Sequence, residues 1–335
     1  MEHLGLMDGQ MDAVSVTLER VAEVDQALAA RAAAALAVLL AGVRGSCWPE
    51  VAWQFSRLGA GGCPVELSFS SAGPGLRYTV EPAGPELAPA DRLAAALGHL
   101  ELLAPGRPVP AELLGLLGGA WPAAGPSWGA WVGGRHSATG SSFKLYAEVP
   151  ASRVGEVQDR YLGPGGVLAG RPVRLEGLGY DLASGRVELY YRAHRLGVDE
   201  LGLLLYRARL PDRRADLEAM LAEVLGRPAG AHLPLVRFGF SLTDNPEGRG
   251  GTLSVFCYTY EALGDDTRCR ERVLGLADRH GWDATLYRRV SEPLVGSPTG
   301  SPGRHRHTVV AVTVAAARPP AVTIALSPPD PGASG

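Results

Sequence analysis

Lysine is almost absent from this sequence. Lys144 is the only one, and arginine supplies the rest of the 32 basic residues. Charges of both signs are scattered along the chain and the formal net charge is −3, so there is no broad basic surface that would bind nucleic acid by charge alone. We therefore expect no nucleic-acid partner, and we ask why one lysine is retained at position 144.

Cysteine and long apolar runs are also scarce. The four cysteines, at positions 47, 63, 257 and 269, lack CxxC spacing and follow no recognisable secretory leader. We expect reduced thiols that fill the core of a cytoplasmic protein. The Ala-rich stretch 27–42 is interrupted by Arg31 and is shorter than a bilayer-spanning helix, which predicts no membrane partner.

What the sequence does contain, after residue 49, is a series of short alternating segments bounded by Gly, Pro, Ser and Asn. This pattern predicts β-hairpins. The five predicted hairpins pair residues 64–70 with 76–82, 128–133 with 142–149, 173–182 with 186–192, 236–242 with 252–260, and 307–314 with 321–327. The turn of the last hairpin is predicted at Pro319-Pro320. Helical segments are predicted at 14–43, 89–103, 109–118, 151–161, 212–226 and 265–280.

The order of these segments predicts an α+β fold in which helices cover one antiparallel sheet. About ten strands could close into a barrel, which would remove the sheet edges. We predict a helical segment 1–45 packed on a barrel of residues 46–327, followed by a disordered Gly/Pro/Ser tail at 328–335.

Alternation also sorts each predicted strand into an apolar face and a polar face. The apolar faces are covered by helices in this interpretation. The polar faces carry Glu66, Ser68, Arg77, Lys144, Tyr146, Arg186, Glu188, Tyr190 and Arg237. A barrel with a polar, ligand-binding chamber and an open sheet with one solvated face would produce the same alternation, so the pattern leaves both arrangements open.

Two short motifs have an alternative chemical interpretation. The sequence DDTRC at 265–269 is similar to an aspartate-rich Mg²⁺/diphosphate motif but lacks the final aspartate, so we predict a helix cap at Asp265. His305-Arg306-His307 could bind a metal ion, but a polar turn before the fifth hairpin is the favoured interpretation.

The segments PVELS (64–68), LRYTVEP (76–82), FKLYAEVP (143–150) and GYDLASGRVELYY (179–191) together resemble the aromatic prenyltransferases of the ABBA fold, especially the indole (dimethylallyltryptophan synthase) branch. The resemblance covers roughly residues 46–327 and is most specific in the first three hairpins. It implies a ten-stranded antiparallel β-barrel ringed by helices, built from repeated α-β-β-α units. It further implies transfer of a prenyl group from an isoprenyl diphosphate to an electron-rich aromatic compound, free or within a peptide, in bacterial specialised metabolism.

The resemblance also implies roles for individual residues. Glu66 is the predicted catalytic residue, which would hydrogen-bond the acceptor N–H. The other predicted site residues are diphosphate-binding Arg77, Lys144 and Arg186, prenyl-shielding Tyr146, Tyr190 and Tyr258, and chamber-lining Glu188, Ser68 and Arg237. No metal ligand and no required cofactor are implied, although Mg²⁺ could accompany the donor.

Glu188 departs from the family pattern, because the family has a second lysine at this position. A carboxylate there would repel a diphosphate. Either the donor is bound differently, with Mg²⁺ offsetting Glu188, or the barrel binds or transforms a small molecule without a prenyl diphosphate. Since no second lysine is available as a base, removal of the ring proton would pass to Glu66, His136 or solvent.

Overall fold

The barrel closes. A computed structural model of the chain describes residues 5–46, 56–58, 62–119, 121, 125–168, 171, 173–228, 230–234, 237–243, 251–294 and 305–328. Its strands are β1 (Val65–Ser70), β2 (Leu76–Val80), β3 (Ala130–Ser137), β4 (Gly140–Ala147), β5 (Arg174–Asp181), β6 (Val187–His194), β7 (Arg237–Thr243), β8 (Thr252–Tyr258), β9 (His307–Ala315) and β10 (Arg318–Leu326). Each strand pairs antiparallel with its neighbours in sequence, and β1 pairs with β10 to complete the ring. The predicted fold class is confirmed.

Helices surround the barrel. They are α1 (Gly5–Val24), α2 (Gln26–Leu39), α3 (Ala41–Arg44), α4 (Arg92–Leu103), α5 (Ala111–Leu117), α6 (Val154–Leu162), α7 (Val198–Arg207), α8 (Arg214–Leu225), α9 (Thr259–Ala262), α10 (Asp266–His280) and α11 (Thr285–Val290). The predicted helix 14–43 is divided at Asp25, whose side chain accepts a hydrogen bond from Leu28 N and so starts α2. None of the described helices is long and apolar enough to cross a membrane.

The helix cap predicted at Asp265 is confirmed. The Asp265 side chain accepts from Arg268 N at the start of α10, and the helix ends at Gly281 in the left-handed conformation with φ 66°. Helices α7, α9 and α11 were not predicted, and α9 begins at Thr259, inside the strand predicted to end at residue 260. The three described cysteines are buried free thiols, as expected, whereas Cys47, residues 244–248 and residues 329–335 lie outside the described residues.

The predicted faces of the strands are also confirmed. Buried and partly buried residues alternate along β1, β2, β6 and β8, and the buried set forms a core between the barrel and the helices. For example, Val65 and Leu67 of β1 are fully buried, whereas Glu66 between them faces the interior of the barrel. We call the end of the barrel at which the two strands of each hairpin connect the hairpin end, and the opposite end the helix end.

The turn predicted at Pro319-Pro320 is wrong. Both prolines lie in β10, and the chain turns at residues 316–317. The β9–β10 ladder is irregular here, with pairs at Arg318↔Ala315 and then Ala321↔Thr313. Because proline has no N–H to donate to a ladder, such an irregularity near a strand end accommodates it.

Candidate active site in the barrel

Lys144 lies inside the barrel and is engaged by other side chains of the interior. Its ammonium group forms an ion pair with Glu188 and donates to the Tyr190 hydroxyl at 2.9 Å. Ser241 donates to the other carboxylate oxygen of Glu188. The ammonium nitrogen also lies 5.0 Å from the Tyr146 ring centroid, a cation–π distance. The single lysine of the chain is therefore the counter-ion of Glu188.

Lys144 and Glu188 are on β4 and β6, two strand spacings apart, so their side chains must cross β5. They meet over Gly179, which pairs with Tyr146 on one side and with Glu188 on the other. A Cβ atom at Gly179 would overlap Lys144 Cε and would come within 3.2 Å of the Tyr190 ring. The glycine is thus required for the ion pair.

Burial and charge act in opposite directions on this pair. Burial lowers the pKa of Lys144, but Glu188 and Tyr146 raise it, and the net pKa is above its ordinary value. Burial raises the pKa of Glu188, but the lowering effect of Lys144 and of the hydrogen bonds is larger, so the net pKa is below its ordinary value. Both groups are therefore charged at neutral pH. Burial and the Glu188 charge raise the pKa of Tyr190 well above its ordinary value, so its hydroxyl stays protonated.

Two arginines form a second cationic feature toward the hairpin end of the barrel, where Arg77 is partly buried and Arg135 is exposed. Arg77 on β2 pairs in register with Arg135 on β3, so both extend from the same face, and Ser68 is the partner of Arg77 on β1. Burial and the charge of Arg135 lower the pKa of Arg77 to about 10, which leaves it protonated at neutral pH. Among the described residues no carboxylate pairs with either arginine. The charge of Glu188 raises the pKa of Arg77 but forms no direct ion pair with it, so the two guanidinium groups are suited to bind an anion.

Glu66 is a carboxylate that pairs with no cation among the residues that the structure describes. Burial raises its pKa to about 7, against the lowering effect of one hydrogen bond from Thr308. The Thr308 hydroxyl donates to Glu66 Oε2 at 2.5 Å, and no described residue donates to Oε1. Glu66 is the second residue of β1 from the helix end, whereas Arg77 and Glu188 are each second from the hairpin end of their strands. Glu66 and Arg77 thus lie toward opposite ends of their strands, whereas Lys144 lies near the middle of β4.

Aromatic rings line the wall beside these groups. The ring centroids of Tyr146 and Tyr190 are 5.7 Å apart, and those of Tyr190 and Phe256 are 6.4 Å apart. Further along β3, Trp131 stacks on Trp128 with centroids 4.1 Å apart. Phe256 occupies a position where the resemblance leads one to expect a glutamine. The alternation of β3 could have placed Trp131 in the chamber, but no family motif marked it. The result is an interior with flat, electron-rich surfaces.

The structure does not bring all predicted site residues into this cluster. Arg186 is exposed in the turn before β6. Arg237 is exposed at the helix end of β7 and pairs with Glu261. Tyr258 lies at the same end, with the guanidinium carbons of Arg192 and Arg237 at 5.1 and 5.5 Å from its ring centroid.

His136 does not face the chamber. It is buried on the outer face of β3, where its Nε2 lies 2.8 Å from the Tyr78 hydroxyl and its Nδ1 lies 2.7 Å from Ser141 Oγ. Burial lowers its pKa to about 4. The suggestion that His136 removes a proton inside the barrel is therefore wrong, because β3 lies between the imidazole and the chamber. His307 is bonded to Asp266 and Tyr287, and the described ranges contain no group of three or more His, Cys, Asp or Glu residues suited to a metal ion.

Comparison with known proteins places this geometry in context. No protein-family model and no curated protein sequence matches the chain. Solved structures do match over nearly their full length. One is 6-dimethylallyltryptophan synthase from Micromonospora olivasterospora in complex with DMASPP and Trp, which is 25% identical, with 96% of this chain and 97% of that chain covered and a TM-score of 0.73.

Two further structures give similar values. The 5-dimethylallyltryptophan synthase from Streptomyces coelicolor, in complex with DMASPP and Trp, is 19% identical, with 95% of this chain and 94% of that chain covered and a TM-score of 0.72. The prenyltransferase PriB, in a ternary complex with L-tryptophan and dimethylallyl thiolodiphosphate, is 20% identical, with 96% and 99% covered and a TM-score of 0.72. The chain therefore has the fold of the ABBA aromatic prenyltransferases, and the resemblance to their dimethylallyltryptophan synthase branch is confirmed.

Proposed function

We propose that the chain transfers a prenyl group from an isoprenyl diphosphate to an electron-rich aromatic ring, with an indole such as tryptophan as the acceptor. The observation that carries the proposal is the division of charge in the barrel. Among the described residues, Arg77 and Arg135 form no ion pair with a carboxylate, and Glu66 forms none with a cation. The solved structures of the same fold contain tryptophan and a dimethylallyl donor, which supports this pairing of substrates.

The cations would bind the leaving group. When the bond between the allylic carbon and the diphosphate oxygen breaks, its electron pair stays on that oxygen and negative charge accumulates there. Arg77, Arg135 and Lys144 would stabilise this charge, and preorganised cations act strongly in a chamber with little water. Arg186 is assigned no part in this step, because it lies in the turn before β6 and not on a strand beside Arg77 and Lys144.

The aromatic rings would protect the allylic cation. Tyr146, Tyr190 and Phe256 present ring faces and edges to the chamber. Each ring stabilises an adjacent cation by about 0.5–2 kcal/mol and excludes water that would otherwise capture it. Tyr258 lies between two arginines at the helix end and is assigned no shielding role here.

Glu66 would orient the acceptor. Its free Oε1 can accept the ring N–H of an indole, which raises the electron density of the ring. The ring then forms a carbon–carbon bond to the allylic carbon and loses one proton, which passes to Glu66 or to water. With a pKa of about 7, the carboxyl group can both donate and accept protons near neutral pH.

We infer no required cofactor, because the charge of the leaving group is met by side chains of the chain itself. A Mg²⁺ ion would enter with the diphosphate and partly offset Glu188. The assay below, run with EDTA and with Mg²⁺, separates a dispensable ion from a required one.

One observation favours a second candidate function. Lys144, the cation that a diphosphate would contact, already has a counter-ion in Glu188. A barrel in which this pair persists could bind or transform a small molecule without a prenyl diphosphate. Donor binding distinguishes the two candidates, because only the first requires it.

The deciding experiment combines calorimetry with dimethylallyl thiolodiphosphate and a turnover assay with dimethylallyl diphosphate and tryptophan or a tryptophan-containing peptide. We expect donor binding by the unaltered protein, with Arg135→Gln weakening it about tenfold or more. Glu66→Gln should lower turnover and leave donor affinity nearly unchanged, because it removes acceptor orientation only. Absence of donor binding would reject the prenyl transfer function. A large loss of donor affinity in Glu66→Gln would show that Glu66 has a different role.

A further inference from the structure

Thr308 lies at an irregularity of β9. The β9–β10 ladder pairs Val310 with Ile324 and then His307 with Leu326, so Thr308 and Val309 together oppose the single residue Ala325. Such a β-bulge re-aims a side chain. Regular alternation would have put Thr308 on the outer face with Val310, whereas its hydroxyl reaches Glu66 Oε2 inside the barrel at 2.5 Å.

The residues immediately before this bulge are fixed by buried groups. The Asp266 carboxylate accepts from His307 Nδ1 at 2.8 Å, from the His307 backbone N–H at 2.8 Å and from the Arg306 backbone N–H at 3.0 Å. On the other side of the imidazole, Nε2 lies 2.9 Å from the Tyr287 hydroxyl. Thr259 Oγ1 donates to the His307 carbonyl at 2.5 Å. His307 and Tyr287 are only 1% and 3% exposed, so this network is buried within the protein and is not a surface contact.

We propose that Thr308 is a positioning residue for Glu66, and that the Asp266–His307–Tyr287 network holds the bulge that aims it. The hydroxyl occupies Oε2 and fixes the plane of the carboxylate, so that Oε1 is presented to a single donor from the ligand. The assignment of that donor as the acceptor N–H rests on the proposed function. The hydrogen bond itself, and its effect on Glu66, do not.

The surroundings of Glu66 make Thr308 the main polar influence on it. The charged groups on adjoining elements are Arg77 and Glu81 on the β2 side, and Asp266 and His307 behind Thr308. None of them contacts the Glu66 carboxylate, and Glu81 is paired with Arg92. Burial raises the pKa of Glu66, and the hydrogen bond from Thr308 lowers it. Removing the hydroxyl should therefore raise the pKa further, since the charged form loses its donor.

The test is a titration of the ligand-free protein with ¹³C-labelled glutamate carboxyl groups, in which Glu66→Gln identifies the Glu66 signal. Thr308→Val should raise the Glu66 pKa by about one pH unit, a tenfold change in its ionisation constant. Thr308→Ser, which keeps the hydroxyl, should stay close to the unaltered protein. Thr313→Val is the matched control, because Thr313 lies on the same strand and bonds to Ser254 at 2.7 Å instead. It should not move the Glu66 signal.

An unchanged Glu66 pKa in Thr308→Val, or an equal shift in Thr313→Val, would overturn the proposal. If the valine variant does not fold, Thr308→Ala applies the same criterion. In the turnover assay, the acid limb of the pH profile should move upward in Thr308→Val by the same amount as the titration. The titration needs no substrate. If Thr308→Val raises the Glu66 pKa as expected but the protein prenylates no acceptor, the proposed function is rejected and the role of Thr308 stands.

Discussion

Replacing Glu188 by glutamine tests the charge arrangement of the barrel most directly. The amide keeps the size of the side chain and an oxygen that can accept from Lys144 and Ser241, but it removes the negative charge. In the ligand-free protein this change leaves the Lys144 ammonium without a counter-ion in an interior where both side chains are only 18% exposed. A bound diphosphate would supply that missing charge. Stability and donor affinity should therefore change in opposite directions.

The size of each effect follows from the contact. A phosphate oxygen that touched the Lys144 ammonium would lie about 5 Å from the Glu188 carboxylate, where repulsion is about 3 kcal/mol per unit charge at an effective dielectric constant near 20. Partial screening by water reduces this, so we expect donor affinity to rise about 10- to 100-fold. Breaking a buried pair from one side costs about 3–5 kcal/mol. Because the amide oxygen still accepts a hydrogen bond, we expect a loss of about 2–4 kcal/mol in the free energy of unfolding.

The assay is calorimetry with dimethylallyl thiolodiphosphate, together with thermal unfolding with and without it. Glu176→Gln is the control, because Glu176 pairs with Arg192 at 2.7 Å and makes no contact with Lys144. It should not tighten donor binding. A Glu188→Gln protein that is less stable and binds the donor no better would refute the reasoning. It would favour the barrel that acts without a prenyl diphosphate. Glu188→Lys extends the test, since a second cation should bind the donor more tightly still but destabilise the ligand-free protein further.

Two other variants test the interior by stability. Glu66→Gln should stabilise the ligand-free protein at high pH. The pKa of Glu66 in the folded protein, about 7, lies above its ordinary value of 4.5. The stability that the protonated carboxyl group contributes is therefore complete below pH 4.5 and is lost as the pH rises through 7. The difference in the free energy of unfolding between the variant and the unaltered protein should be absent near pH 4.5 and reach about 2–4 kcal/mol above pH 8. Equal stability of the two proteins at pH 8.5 would contradict the burial of the carboxylate. Gly179→Ala should separate Lys144 from Glu188 and cost about 1–3 kcal/mol in thermal unfolding. Gly98→Ala on α4, where an added Cβ meets no atom within 4 Å, should cost nothing, and equal effects of the two would contradict the role of Gly179.

The strands and their faces were predictable because alternation is a local property. The apolar face of β1, with Val65, Leu67 and Phe69, follows from three positions at a spacing of two. Alternation alone did not predict closure, since an open sheet has the same alternation, and only the family resemblance implied it. It depends on the pairing of β1 with β10, which brings Leu67 opposite Leu326 from the far end of the sequence.

The sequence predicted which strand face each site residue lies on. It did not predict how deeply each residue is buried or which side chains it contacts. Parity puts Arg186 on the same face as Glu188, but it does not show that β6 begins one residue later and leaves Arg186 exposed. To predict the Lys144–Glu188 pair, one must know that β5 separates β4 from β6 and that Gly179 leaves room for the two side chains to meet. Thr308 has the wrong parity for the interior, and only the bulge explains its position.

Closure of the barrel has a consequence for when the site can exist during folding. Nine of the ten strand pairings join neighbours in sequence, and the β1–β10 pairing alone joins the two ends of the barrel. The hydrogen bond from Thr308 to Glu66 crosses near this seam and links residues 242 positions apart. Contacts of such large sequence separation form late, because a long loop must close before they contribute. A chain that has completed its hairpins but not the seam would already have Lys144 and Glu188 on adjacent units, yet its Glu66 would be unoriented. The Glu66 carboxylate therefore becomes oriented only when the last hairpin joins the barrel.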